Sequence, residues 1–294
     1  MKRRIPEVAL LIVAASILSC GKAPTPPPSS SPPAKEAPTA QANTNPSSNN
    51  TALKPTCSTP DFPEPVALGV DNQCANEGNG GKEGAQNSVK NNFCPLSETP
   101  ADVTIAELQQ LQKNVEKDPS INFGPKGPTT DRGPLTTLGE GKLIVLKAFV
   151  LKARQEGGES VNCKGTVPDE PVFHDIHIAF VDATHKPQAG DSKPILDGKE
   201  CSGIVAEMSP HHRPDFWTAD NVNKVGTAGA LVRVTGQQFF DSSHVPCSNG
   251  APVGSNPKRI SLWEIHPIYK FEVCTANCTA AGTWQPLDQW LKQH

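Results

Sequence analysis

Residues 259–274 read RISLWEIHPIYKFEVC, and the alternation in this run decides what kind of chain this is. In an extended strand, side chains at i and i+2 share a face. Trp263, Ile265 and Tyr269 therefore fall on one side, and Glu264 and His266 on the other. Four further runs have the same character: 142–154 (KLIVLKAFVLKAR), 172–182 (VFHDIHIAFVD), 203–208 (GIVAEM) and 229–240 (GALVRVTGQQFF). Apolar runs of this length, rich in Val, Ile and Phe and separated by turn residues, read as strands. Five of them, with a longer insertion between the third and fourth, predict a mainly β fold built on a small five-stranded barrel of OB type, with a β-sandwich as the competing arrangement. The barrel domain then covers 141–294.

Upstream, residues 56–140 divide in two. The first part carries Cys57, Cys74 and Cys94 among many Gly and Asn, as in CANEGNGGKEGAQNSVKNNFC, and predicts irregular disulfide-pinned loops. The second part holds one packing helix. Thr104 and Glu107 form a capping box, and Ile105, Leu108, Leu111 and Val115 keep helical spacing until Asp118 and Pro119 end it.

The chain opens MKRRIPEVALLIVAASILSCGK, with Lys2, Arg3 and Arg4 before an apolar run too short to span a bilayer. Residues 1–19 read as a secretory signal peptide. The run Ile17, Leu18, Ser19, Cys20, Gly21 resembles a bacterial lipobox, which implies that Cys20 is acylated and becomes the first mature residue. Beyond it, residues 20–55 are dominated by Pro, Ser, Thr, Ala and Asn and cannot form a core; they read as a disordered tether with a reach on the order of 100 Å. The expected location is the bacterial cell envelope, at a membrane surface through the lipid. Gly21 after the Cys implies the outer membrane in a Gram-negative host, by resemblance to lipoprotein sorting signals.

With Cys20 set aside, eight cysteines remain: Cys57, Cys74, Cys94, Cys163, Cys201, Cys247, Cys274 and Cys278. An even number in an exported chain predicts up to four disulfides, with the connectivity open. Cys274 and Cys278 have the spacing of a metal half-site, but export favours a disulfide there as well. The precursor has 27 basic and 30 acidic residues, and removing the signal leaves 24 against 29. No basic stripe interleaved with aromatics is present, which excludes a broad nucleic-acid surface.

Chemistry concentrates in the predicted strands and the loops leaving them. Seven of the eight histidines lie between 174 and 266. Asp175 and His177 repeat the pattern of Glu264 and His266, an acid and an imidazole on one strand face. With Glu207 and His244 they make a candidate ligand set for a divalent metal ion, since imidazole and carboxylate suit such ions where thiols are oxidised. His211, His212, Arg213, Arg233 and Asp241 are candidates for contacting an anion or substrate. There is no GxSxG elbow, HExxH, P-loop or Rossmann glycine pattern.

The segments DIHIAFVD, GIVAEMSPHHRP, VTGQQFFDSSH and WEIHPIYKFEV together resemble a group of bacterial secreted or lipid-anchored hypothetical proteins. That group shows the succession D-x-H, G-x-FFD-x-x-H and E-x-H-P. The resemblance covers about 141–275, with NSVKNNFC ahead of it, and implies the barrel and the site candidates but no reaction. The sequence thus predicts a lipid-anchored, non-catalytic, disulfide-braced module that binds a ligand or partner through its polar strand face. The alternative is a metal-dependent hydrolase, of phosphodiesters or a nuclease-like kind.

Overall fold

A computed structural model describes residues 77–78, 81–92, 99–162, 171–210, 213–253, 257–279 and 281–294. The signal, Cys20, the tether, Cys57, Cys74, Cys94, Cys163, His211 and His212 lie outside the described residues. In chain order the elements are α1 (Gly84–Lys90), β1 (Ala101–Val103), α2 (Ile105–Val115), α3 (Gly133–Leu138), β2 (Leu143–Gln155) and β3 (Ile176–Val181). There follow α4 (Lys193–Glu200), β4 (Ile204–Met208), α5 (Ala219–Ala228), β5 (Leu231–Phe240), β6 (Trp263–Ala276), β7 (Thr283–Pro286) and α6 (Leu287–Leu291). All five predicted strands are present as β2, β3, β4, β5 and β6.

They close into a barrel. β2 pairs antiparallel with β3, β3 with β4, β5 with β6 and β5 again with β2, while β4 meets β6 in parallel. The short β1 and β7 extend this sheet beside β2 and β6. A mixed barrel of five strands with a helical insertion between the third and fourth is the OB arrangement, and it sets the sandwich aside. Its interior is filled by alternate residues of every strand, among them Leu146, Ile178, Phe180, Ile204, Val234, Trp263 and Phe271. Full burial of each such side chain stabilises the fold by about 1.5–3 kcal/mol.

Two helices show how the interior is sealed. In α2, the Thr104 hydroxyl accepts from Glu107 N while Glu107 Oε2 accepts from Thr104 N, so the predicted capping box forms and Leu108 and Val115 join the core. Ser261 Oγ donates to Leu108 O, and Gln112 Oε1 accepts from Leu262 N, which ties α2 to the entry of β6. In the insertion, α5 lies on β2, where the Asn223 amide exchanges two hydrogen bonds with the backbone of Ala153. Gly226 faces Val150 so closely that an added Cβ would sit 3.1 Å from its carbonyl oxygen.

One face assignment differs from the expectation. The β5–β6 register shifts around Gly236, where a Cβ would lie 2.4 Å from both Ile265 and the Pro267 carbonyl. At that irregularity the alternation slips for a few residues and then resumes its first phase at Phe271. Ile268, Phe271 and Val273 enter the core with Trp263 and Ile265, whereas Tyr269 is buried outside that cluster and donates its hydroxyl to Asn92 O.

Two disulfides are described, Cys201–Cys247 and Cys274–Cys278. The first ties the end of α4 to the β5–β6 connection, and the second closes the turn between β6 and β7. Among the described residues no helix is long and apolar enough to cross a membrane.

Candidate ligand pocket on the outward barrel face

His177 sits between core residues Ile176 and Ile178, so its side chain points away from the barrel interior. Glu207 lies between Ala206 and Met208 and is the cross-strand partner of His177. His266 follows Ile265 on β6, next to β4. Three adjacent strands thus put an imidazole, a carboxylate and an imidazole side by side on the outer face, under cover of α1 and the β2–β3 connection.

Glu207 is the hub. It is fully buried; its Oε1 stands 2.9 Å from His177 Nε2 and its Oε2 stands 2.9 Å from His266 Nε2. Lys90 Nζ, at the end of α1, lies 3.5 Å from Glu207 Oε2 and 3.2 Å from Glu159 Oε2. Glu159 Oε1 takes the hydrogen bond of His177 Nε2 at 3.1 Å. Because that nitrogen carries one proton, the 2.9 Å contact to Glu207 Oε1 is out of line, and this buried oxygen accepts no hydrogen bond. On the far side, His266 Nε2 is 3.3 Å from Asp175 Oδ2, whose partner oxygen accepts from Asn162 Nδ2.

Charge holds the cluster together. Burial disfavours the ionised form of Glu207, yet the charges of His177, Lys90 and His266 keep its pKa well below the usual range. Burial likewise opposes the Lys90 ammonium, but Glu159 and Glu207 hold it well above its ordinary value. For His177, burial is again outweighed, here by the Glu207 charge and by the Glu156, Glu159 and Glu207 carboxylates gathered around the ring, and the pKa is raised.

A neighbouring network takes up other predicted residues. Arg259, fully buried, is 2.5 Å from Glu264 Oε2 and 3.2 Å from Asp241 Oδ2, and His244 Nδ1 is 2.5 Å from the same Asp241 oxygen. Of the six predicted metal ligands, Asp175, His177, Glu207 and His266 meet in one cluster. His244 and Glu264 belong to the Arg259–Asp241 network instead. Arg213 donates to the carbonyls of His174, Met208 and Val172, and Arg233 makes a two-pronged ion pair with Glu272. Both arginines are thereby committed to protein partners.

Between α1, the β2–β3 connection and the β5–β6 connection lies a pocket of about 280 Å³. Its wall includes Lys90, Glu156, Glu159, His177, Asp241 and His244. The helix is fixed there by side-chain amides. Gln86 Oε1 accepts from Ser242 N, Asn87 Nδ2 donates to Ser160 Oγ, and Asn91 Nδ2 donates to Val161 O. In OB barrels, the face of the second and third strands with these two connections is where ligands sit.

Lys90, Glu156, Glu159, Gln86 and Arg259 were not singled out from the sequence. Lys90 stands in a polar run, and Glu159 in a Gly-flanked loop, so neither belongs to any strand or helix periodicity. For Lys90 the one signal is NSVKNN, whose polar density is unusual for a stretch that becomes largely buried. Comparisons with family models, curated proteins and solved structures found no match to this chain.

Proposed function

We propose that this chain is a binding module of the bacterial cell envelope, held by a lipid on Cys20, whose ligand site is the pocket on the outward barrel face. The observation that carries the reading is the makeup of that pocket. Among the described residues, four carboxylates, Glu83, Glu156, Glu159 and Asp241, line it with one lysine, Lys90, and two histidines, His177 and His244. A concave site with converging polar groups is the default ligand position in a fold of this kind, and the excess of carboxylates selects a positively charged group.

Full-length lipoprotein in detergent should show a rise in Tm with small amines such as spermidine or ethanolamine, and none with phosphate or acetate. Glu159→Gln should abolish that rise. Equal shifts with anions, or none with any cation, would contradict the reading. Anchoring has its own check: Cys20→Ser should release the protein from the membrane fraction or leave it unprocessed, and normal processing with unchanged pelleting would refute the lipid.

A metal-dependent hydrolase is the second reading, favoured by the convergence of His177 with two carboxylates. It ranks lower because Arg213 and Arg233 are tied to other groups and neither lines the pocket. Turnover of bis-p-nitrophenyl phosphate in the presence of Zn²⁺ or Mn²⁺ that disappears in Glu159→Gln would reverse that order.

A further inference from the structure

We propose that the floor of this pocket is a mononuclear site for a first-row divalent cation, held by Glu159 Oε1, Glu207 Oε1 and His177 Nε2. The inference rests on the pocket being the ligand site and names the cation it would take. The three donor atoms converge from three separate segments, the β2–β3 connection, β4 and β3, and lie within 4.8 Å of one another. The imidazole nitrogen stands 3.1 Å from one carboxylate oxygen and 2.9 Å from the other. With metal–ligand bonds of about 2.1 Å, neighbouring donors around an ion stand about 3 Å apart, so the two edges that meet at the imidazole already have the length found in a first coordination shell.

Glu207 Oε1 supplies an independent indication. It is an ionised oxygen with no access to water and no hydrogen bond, because the one N–H facing it is given to Glu159. A buried anionic oxygen left without a donor is costly, and a bound ion is one of the few things that satisfies it. The other oxygens of both carboxylates are already engaged: Lys90 Nζ sits at 3.2 Å from Glu159 Oε2 and 3.5 Å from Glu207 Oε2. Lys90 therefore occupies the Oε2 side of both carboxylates and leaves their Oε1 atoms for the ion.

The arrangement behind the imidazole also fits. Glu156 Oε1 lies 3.2 Å from His177 Nδ1, out of line for a hydrogen bond in this arrangement, and its carboxylate is paired with Arg154. With an ion on Nε2, the ring proton resides on Nδ1 and faces Glu156, the usual carboxylate support of a ligating histidine. One nitrogen and two oxygens suit zinc or manganese better than calcium, which takes six to eight oxygens. The side toward the pocket is left for water or ligand.

The test is calorimetric titration of untagged, chelator-treated full-length lipoprotein in detergent with zinc chloride, and separately with calcium chloride. Zinc should bind at one ion per chain, with calcium much weaker. Glu159→Gln and His177→Ala, each removing a ligand, should weaken zinc binding by at least the roughly 10–100-fold that loss of a group merely supporting a ligand costs. Glu159 is partly exposed and lies in a connection, so its variant keeps the measurement meaningful even if changes at buried Glu207 unfold the chain. No zinc binding, or equal binding by wild type and both variants, overturns the proposal. If zinc fails while the amine-dependent Tm shift persists, the cation site falls and the pocket reading stands; if both fail, both fall.

Discussion

At individual side chains, the interior of the outer-face cluster is governed by charges with no water to screen them. Burial would lower the pKa of His266, but Glu207, together with hydrogen bonding to Asp175 and Glu207, raises it to about 9. Burial, reinforced by the Glu207 charge, also raises Glu264 against the opposing pull of Arg259. A group whose folded pKa is raised binds its proton more tightly in the folded state, so its contribution is complete below the unfolded value and lost as pH climbs through the folded one. For His266 that window runs from about 6.5 to about 9, and the Glu264 shift has the same sign. Metal-free protein should therefore lose stability between pH 6.5 and 9, seen as a falling Tm, and His266→Gln should flatten that limb. A Tm that rises over this range would contradict the assigned charges. Arg259→Met should cost about 3–5 kcal/mol in urea unfolding, because, among the described residues, buried Glu264 would lose its only cationic neighbour within hydrogen-bond reach and Asp241 would keep His244 alone. A loss below about 1 kcal/mol would show that the pair is solvated.

Among the secondary-structure elements, those legible in the sequence were the ones whose buried faces are apolar. The β2 to β6 strands announce themselves by runs such as LIVLKAFV, and α2 by its capping box and by Ile105, Leu108 and Val115. By contrast, α1 falls where irregular loops were expected, because GAQNSVK pairs weak helix formers with a buried face made of Gln86, Asn87 and Lys90. No apolar periodicity exists to reveal such a helix. The α5 helix was hidden in the insertion for a related reason: ADNVNKVGTA has only Val222 and Val225 to bury, and its start rests on the Thr218 cap. The local slip of the alternation in β6 between Ile265 and Phe271 likewise cannot be read from strict alternation, and it moved Tyr269 out of the core. Since α1 is held by amides, Gln86→Ala should leave Ser242 N and Oγ without their acceptor, at a cost of about 1–3 kcal/mol. Hydrogen exchange should then speed up at Ser242 and Ser243 while the barrel strands remain protected. Unchanged exchange in that connection would mean α1 does not brace the pocket.

Over the whole chain, the barrel is braced by covalent links of very different reach. Cys201–Cys247 spans 46 residues and Cys274–Cys278 only 4. In the chain-entropy account, the first restricts the unfolded state by about 4 kcal/mol and the second by about 2 kcal/mol. Replacing the first pair by alanines should lower stability roughly twice as much as replacing the second, read from denaturant midpoints at constant slope; the reverse order would refute that account. The site was half legible in the same way as the fold. His177, Glu207 and His266 were visible because they lie on strands whose alternation fixes their face, and Asp175 because it immediately precedes β3, whereas Glu159 and Lys90 come from a loop and a polar helix that only the three-dimensional arrangement brings to them. The most direct test of the pocket floor is anomalous diffraction at the zinc edge from crystals of the protein grown with zinc. The arrangement described here predicts a peak about 2.0–2.2 Å from Glu159 Oε1, Glu207 Oε1 and His177 Nε2. An absence of density there, with His177 Nε2 still hydrogen-bonded to Glu159, would contradict it.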